Sequence, residues 1–106
     1  MDYDKAIDIA KSEASPRELA QTRVWLAGHY AYLNGLITEI LIKKPFVWEK
    51  LREEVKSDTR AERKWQMTED GQEEIKLSRN LKSIEKLLSA MNTRLKVAEG
   101  EAINNY

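Results

Sequence analysis

From Leu77 to Ala102 the apolar residues alternate at spacings of four and three without a break: Leu77, Leu81, Ile84, Leu88, Met91, Leu95, Ala98 and Ala102. A mean repeat of 3.5 residues holds one narrow stripe of a helix toward a neighbouring helix, and no helix covers such a stripe by itself. The chain is therefore bound to fold by helix-on-helix association, within one molecule or between molecules. Earlier in the chain Leu19, Leu26, Leu33, Ile40 and Val47 recur every seven residues, and Trp25, Tyr30, Leu36 and Ile37 broaden that line into a wide apolar stripe. This stripe is wider than a two-helix seam needs. One flank suits the closing helix, while the other, with Trp25, Tyr32 and Leu36, remains for another chain, so a homo-oligomer is expected.

Charged residues make up 34% of the 106 residues, Gly and Pro are few, and no run of alternating β-branched residues occurs, so the expected class is all-α. The expected architecture is a single domain over residues 1–106. It is a long helical hairpin with a coiled-coil-like seam, preceded by a short helix from about Asp4 to Glu13. Ser15-Pro16-Arg17-Glu18 reads as a capping box that opens the first long helix. Pro45 lacks an amide donor and crowds the preceding turn, which predicts a kink or break near Lys43 and Lys44. Helical spacing resumes at Val47, Trp48, Leu51 and Val55. Lys56 to Thr59 is a candidate frayed joint, and Arg60 to Met67 fits either a helix or an ordered loop. Thr68 reads as the cap of the closing helix, with Glu69 and Asp70 near its positive end. Gly71 is a minor cost there or marks a turn. Asn104 to Tyr106 is expected to fray.

Eighteen basic and eighteen acidic side chains cancel, so any contact with a polyanion depends on local clustering. There is no Cys, which excludes disulfides and thiolate metal sites and fits a reducing interior. No apolar run approaches the ~20 residues of a membrane span, and the N-terminus is acidic where a signal peptide is basic. A cytoplasmic protein without membrane contact is expected. The sole histidine, His29, follows Trp25 by one turn, and no acidic residue lies near enough along the helix to share a metal ion, so it is read as a packed histidine. The paired carboxylates Glu53-Glu54, Glu69-Asp70 and Glu73-Glu74 lie in polar stretches and are read as solvated faces or helix-start charges rather than as acid–base pairs. No phosphate loop, nucleophile elbow or metalloprotease motif appears. The expectation is a non-enzyme with no catalytic residue, no metal and no cofactor.

The charge pattern carries more. Between Lys43 and Lys64 eight basic residues stand against five acidic ones, and the segment closes on Arg60-Ala61-Glu62-Arg63-Lys64-Trp65. Cations for phosphates beside an aromatic face for unstacked bases are the parts with which proteins hold single-stranded nucleic acid. On the closing helix Lys76, Arg79, Lys82 and Lys86 form a second basic stripe away from the seam. The candidate nucleic-acid-binding residues are thus Lys56, Arg60, Arg63, Lys64, Trp65, Lys76, Arg79, Lys82 and Lys86. The candidate seam comprises Leu77, Leu81, Ile84, Leu88, Met91, Leu95, Leu26, Leu33 and Ile40. The plain alternative for both basic stripes is a solvated helix face whose Lys and Arg stems cover apolar edges.

A long helix carrying Trp-Leu-x-x-His at Trp25, Leu26 and His29, a basic stretch running from Lys56 to an aromatic and Gly71, and a long closing helix together resemble the UvsY-type recombination mediators of T-even phages. The resemblance spreads over most of the chain through short motifs. It implies a small helical protein of a phage-infected cytoplasm that assembles into rings, binds single-stranded DNA and helps a RecA-like recombinase displace single-strand-binding protein. Lys56, Arg60, Arg63 and Lys64 then fall in the DNA-contacting segment. This chain departs from that pattern in being shorter, in having Asp58 and Glu62 within the basic cluster, and in being acidic from Glu69 to Glu74. Two other readings of the residues stand beside it. One is an adaptor or inhibitor, such as a phage anti-defence protein, that meets a host protein through Trp48, Trp65 and the acidic patch. The other is a purely structural coiled-coil assembly part.

Overall fold

The computed structural model describes residues 1–104, with side chains as far as Gly100. The described residues form four helices: α1 (Tyr3–Lys11), α2 (Pro16–Val55), α3 (Asp58–Met67) and α4 (Glu69–Asn104). The chain is 91% helical, with no strand among the described residues, so the class is all-α. Asn104 closes α4, and Asn105 and Tyr106, also expected to fray, lie outside the described residues. No described helix is long and apolar enough to cross a membrane.

Local signals set the helix ends. The Asp2 carboxylate accepts from the Lys5 amide at 2.8 Å and caps α1. The Ser15 hydroxyl accepts from the Glu18 amide at 3.2 Å, which is the first half of the expected capping box. Between α2 and α3 the joint is ordered. Lys56 takes the left-handed conformation, with φ 51°, and its amide donates to the Arg52 carbonyl at 2.8 Å, closing α2. A non-glycine residue there costs about 1 kcal/mol. Ser57 then caps α3 by accepting from the Arg60 amide. The Arg60 to Met67 segment, open between helix and loop from sequence, is helix.

Of the kink or break expected at Pro45 the break is absent, since α2 is helical through it from Pro16 to Val55. Proline removes the amide that would bond the Leu41 carbonyl, but Pro45 and Leu41 are both exposed, and at an exposed site solvent can supply the missing donor.

The residues group into two compact units. The first joins Met1–Ala31 to α4 from Lys82 onward, and the second is Tyr32–Leu81. In the first unit the buried side chains are Ala6, Ala10, Leu19, Thr22, Leu26, Ile84 and Met91. An Arg23 guanidinium nitrogen donates to the Asn92 Oδ1 at 3.0 Å, and the Tyr30 hydroxyl donates to a Glu85 carboxylate oxygen at 2.7 Å. As the α2 partner advances by seven residues, the α4 partner retreats by seven. That register is antiparallel, so in this unit α2 and α4 pair within the chain. Arg94 donates to the carbonyls of Ala10, at 2.8 Å, and Ser12, at 2.6 Å, placing a cation at the negative end of α1.

In the second unit the buried side chains are Leu33, Ile37, Ile40, Ala61, Trp65, Leu77 and Leu81. Val47, the last of the residues spaced by seven, is instead 38% exposed. A strict seven-residue line on a helix of 3.6 residues per turn drifts by ~20° each heptad, and over four heptads it leaves the core side. Leu88 and Leu95, expected in the seam, are half-buried on its flank, whereas Leu77, Leu81, Ile84 and Met91 are buried.

Candidate nucleic-acid interface

Helix α3 carries its apolar and basic residues on different sides. Ala61 and Trp65, one turn apart, are both buried, whereas Arg60, Arg63 and Lys64 are exposed, as is Lys56 just before the helix. Trp65 is only 1% exposed, so its ring face is closed to a stacking base. This corrects its place among the nucleic-acid contacts. Adjacency to Arg63 and Lys64 in sequence misleads, because successive helical residues diverge by ~100° and Trp65 shares its face with Ala61. The spacing of four between those two residues was the available signal.

The acidic residues that interrupt the basic cluster are engaged inside the unit. Asp58 pairs with the Arg52 guanidinium. Glu62 pairs with the Lys44 ammonium at 3.4 Å and accepts from the Trp48 indole nitrogen at 3.0 Å. Lys44 also reaches Glu74 at 3.1 Å, and Glu74 accepts from the Trp65 indole at 3.3 Å. The ammonium lies 5.5 Å from the Trp65 ring centroid, a cation–π geometry. Sequence reading counted Lys44 only as one of eight basic residues. It falls four residues after Ile40 on the core line of α2, and that phase was its signal.

Burial is the largest single influence on Lys44 and lowers its pKa. The hydrogen bond and charge of Glu74, followed by the charge and hydrogen bond of Glu62, together outweigh it and hold the group above the ordinary lysine value. Lys44 is therefore a charged internal tie and not a phosphate contact.

The solvent side of α3 carries Arg60, Arg63 and Lys64 together with Asp58, whose side chain is 77% exposed in its pair with Arg52. Among the described residues Lys56, Arg60 and Arg63 are in no ion pair, and Lys64 has only a 3.8 Å approach to Glu54 between two exposed side chains. Such a pair is worth little and yields readily to a phosphate. On α4 Lys76, Arg79, Lys82 and Lys86 are likewise exposed and outside any ion pair among the described residues. Trp48, half-buried, borders an open depression together with Asp58, Thr59, Glu62, Arg63 and Gln66.

Other candidates are placed as follows. His29 stacks on Trp25, with centroids 5.0 Å apart and planes at 15°, and meets Tyr3 at 5.4 Å. Among the described residues no three His, Asp or Glu side chains converge as metal ligands. Of the acidic patch, Glu69, Asp70 and Glu73 are exposed, while Glu74 is turned toward Lys44. Comparison of the chain with protein-family models, with curated proteins and with solved structures gave no match.

Proposed function

We propose that this is a non-enzymatic protein that binds single-stranded DNA through the solvent face of α3, with the exposed lysines and arginine of α4 as a second contact. In this reading it acts in several copies, in the manner of a phage recombination mediator. The observation that supports the proposal is the pairing of charge on α3: Asp58 and Glu62 are paired with Arg52 and Lys44, whereas Lys56, Arg60 and Arg63 are exposed and in no ion pair among the described residues and Lys64 has only its loose approach to Glu54. Three or four cations per subunit make a weak site. Several subunits on one strand multiply it through effective concentration, which is why self-association belongs to the reading.

The test is fluorescence anisotropy of a labelled single strand across a salt series. Neutralising each phosphate contributes a slope of ~0.7 in log K against log salt for single strands, so replacing Arg60, Arg63 and Lys64 by Ala flattens the slope by about 2. Affinity falls alike for all sequences, because phosphate contacts carry no base information. A wild-type protein that binds no single strand at low salt overturns the proposal. One observation favours a protein partner instead: Met67, 81% exposed, borders the exposed Glu69, Asp70 and Glu73, a mixed apolar and acidic edge suited to a basic protein surface.

A further inference from the structure

On α2 the line of the buried Ile37 and Ile40 continues through Lys44 to Trp48, and there the indole is half-buried. Its Nε1 donates to one Glu62 carboxylate oxygen at 3.0 Å, and the other oxygen of that carboxylate meets the Lys44 ammonium at 3.4 Å. An indole N–H lies in the ring plane, so this bond fixes the orientation of the ring without covering a face. Trp48 and Glu62 border two open depressions within the second unit. Leu41 and Pro45 are among the walls of one. The other, of about 570 Å³, is completed by Asp58, Thr59, Arg63 and Gln66 of α3. That volume lies within the ~300–1,000 Å³ usual for sites that take small ligands.

The lining of this second depression suits a neutral, planar ligand with hydrogen-bonding edges. Trp48 supplies an aromatic surface, and the exposed Thr59 and Gln66 supply a hydroxyl and an amide, each both donor and acceptor. Asp58 and Glu62 are already paired with Arg52 and Lys44, while Arg63 lines the depression without an ion pair among the described residues. Two carboxylates beside one guanidinium disfavour a phosphate inside the depression, whereas a base carries no charge for them to repel. Round α3, at ~100° per residue, Glu62 and Gln66 lie toward the depression, Arg63 follows at its rim, and Arg60 and Lys64 lie beyond. We propose, resting on the α3 reading above, that the depression takes one base of the single strand, stacked on the Trp48 indole, while the phosphates follow Arg63, Arg60 and Lys64. An aromatic face beside a line of cations is the arrangement that holds single strands without sequence preference. Trp48 thus fills the stacking role that the buried Trp65 cannot.

Fluorescence anisotropy of the full chain with two labelled strands of equal length tests it: oligothymidylate, and an abasic strand that keeps the phosphates and lacks the bases. Wild type is expected to bind oligothymidylate at least about fivefold tighter than the abasic strand at low salt. Trp48→Ala removes that advantage and leaves both the affinity for the abasic strand and the salt slope unchanged, because stacking is not ionic. Circular dichroism is the folding control. If Trp48→Ala loses helicity, Trp48→Phe carries the test through indole emission, which stacking on a base quenches: oligothymidylate quenches wild type, the abasic strand does not, and Trp48→Phe loses the quench. Equal wild-type affinity for the two strands, an advantage for oligothymidylate or a quench that survives loss of the indole, or a loss shared by both strands in a folded variant overturns the proposal and leaves the cations of α3 standing. Binding of neither strand removes the α3 reading and this one with it.

Discussion

Replacing Gly71 by Ala sets two effects of opposite sign against each other, and the structure decides between them. In an ordinary helix interior the change is stabilising by roughly 1 kcal/mol, because alanine loses less backbone entropy. Gly71, however, is buried in the first turns of α4 where the end of α3 crosses it. A Cβ there lies 2.7 Å from the Trp65 carbonyl carbon and 2.9 Å from the Gln66 Cα, and both are backbone atoms that cannot rotate aside. Relieving the overlap means parting α3 from α4, an overpacking cost of about 1–3 kcal/mol. The same movement strains the Thr68 hydroxyl, which donates to the Trp65 carbonyl at 2.6 Å and accepts from the Gly71 amide at 3.0 Å. Loss of that cap adds about 1 kcal/mol. The net expectation is destabilisation by ~2 kcal/mol, or roughly 8–12 °C in Tm for a chain of this size. Urea unfolding followed by circular dichroism measures it. Gly28→Ala is the control: nothing lies within 4 Å of its Cβ position, so it is expected to stabilise by ~0.5–1 kcal/mol. If Gly71→Ala unfolds at the same or a higher urea concentration than wild type, close approach is not why glycine stands there.

Ile84→Ala, at a fully buried seam position, is expected to cost ~2–5 kcal/mol in urea unfolding, and Leu88→Ala, on the half-buried flank, clearly less; equal losses contradict the burial order. Trp65→Ala is expected to lower stability by ~3–5 kcal/mol, so a stable variant with a specific loss of DNA binding contradicts the buried placement. The raised pKa of Lys44 links its tie to pH: the stabilisation is fully present below the ordinary lysine value of 10.5 and is lost as pH rises through the higher folded value. Wild type is therefore expected to lose more stability than Lys44→Met on alkaline titration, and parallel unfolding profiles refute the linkage.

The all-α class, the seam and the helix starts at Ser15 and Thr68 were legible from the sequence because they rest on local physics. Helical period shows in the spacing of apolar residues, and a cap needs only residues within one turn of each other. Sequence also placed Lys56, Arg60, Arg63 and Lys64 together, and they are exposed as a short helix face requires. What only the tertiary structure decided was which side chain each charge answers. Lys44 counted among the surface cations until the approach of α3 and α4 put Glu62 and Glu74 around it, and Trp65 counted as a surface ring until α3 turned it under that ammonium. At Pro45 a kink or a break was expected and the helix does not break: the cost of a missing amide depends on whether water or core faces the orphaned carbonyl, and spacing along the chain does not state that. Gly71 is the plainest case. Its sequence context offered a turn or a tolerated flaw, while the crossing of two helix backbones, a relation between segments, is what excludes a side chain there.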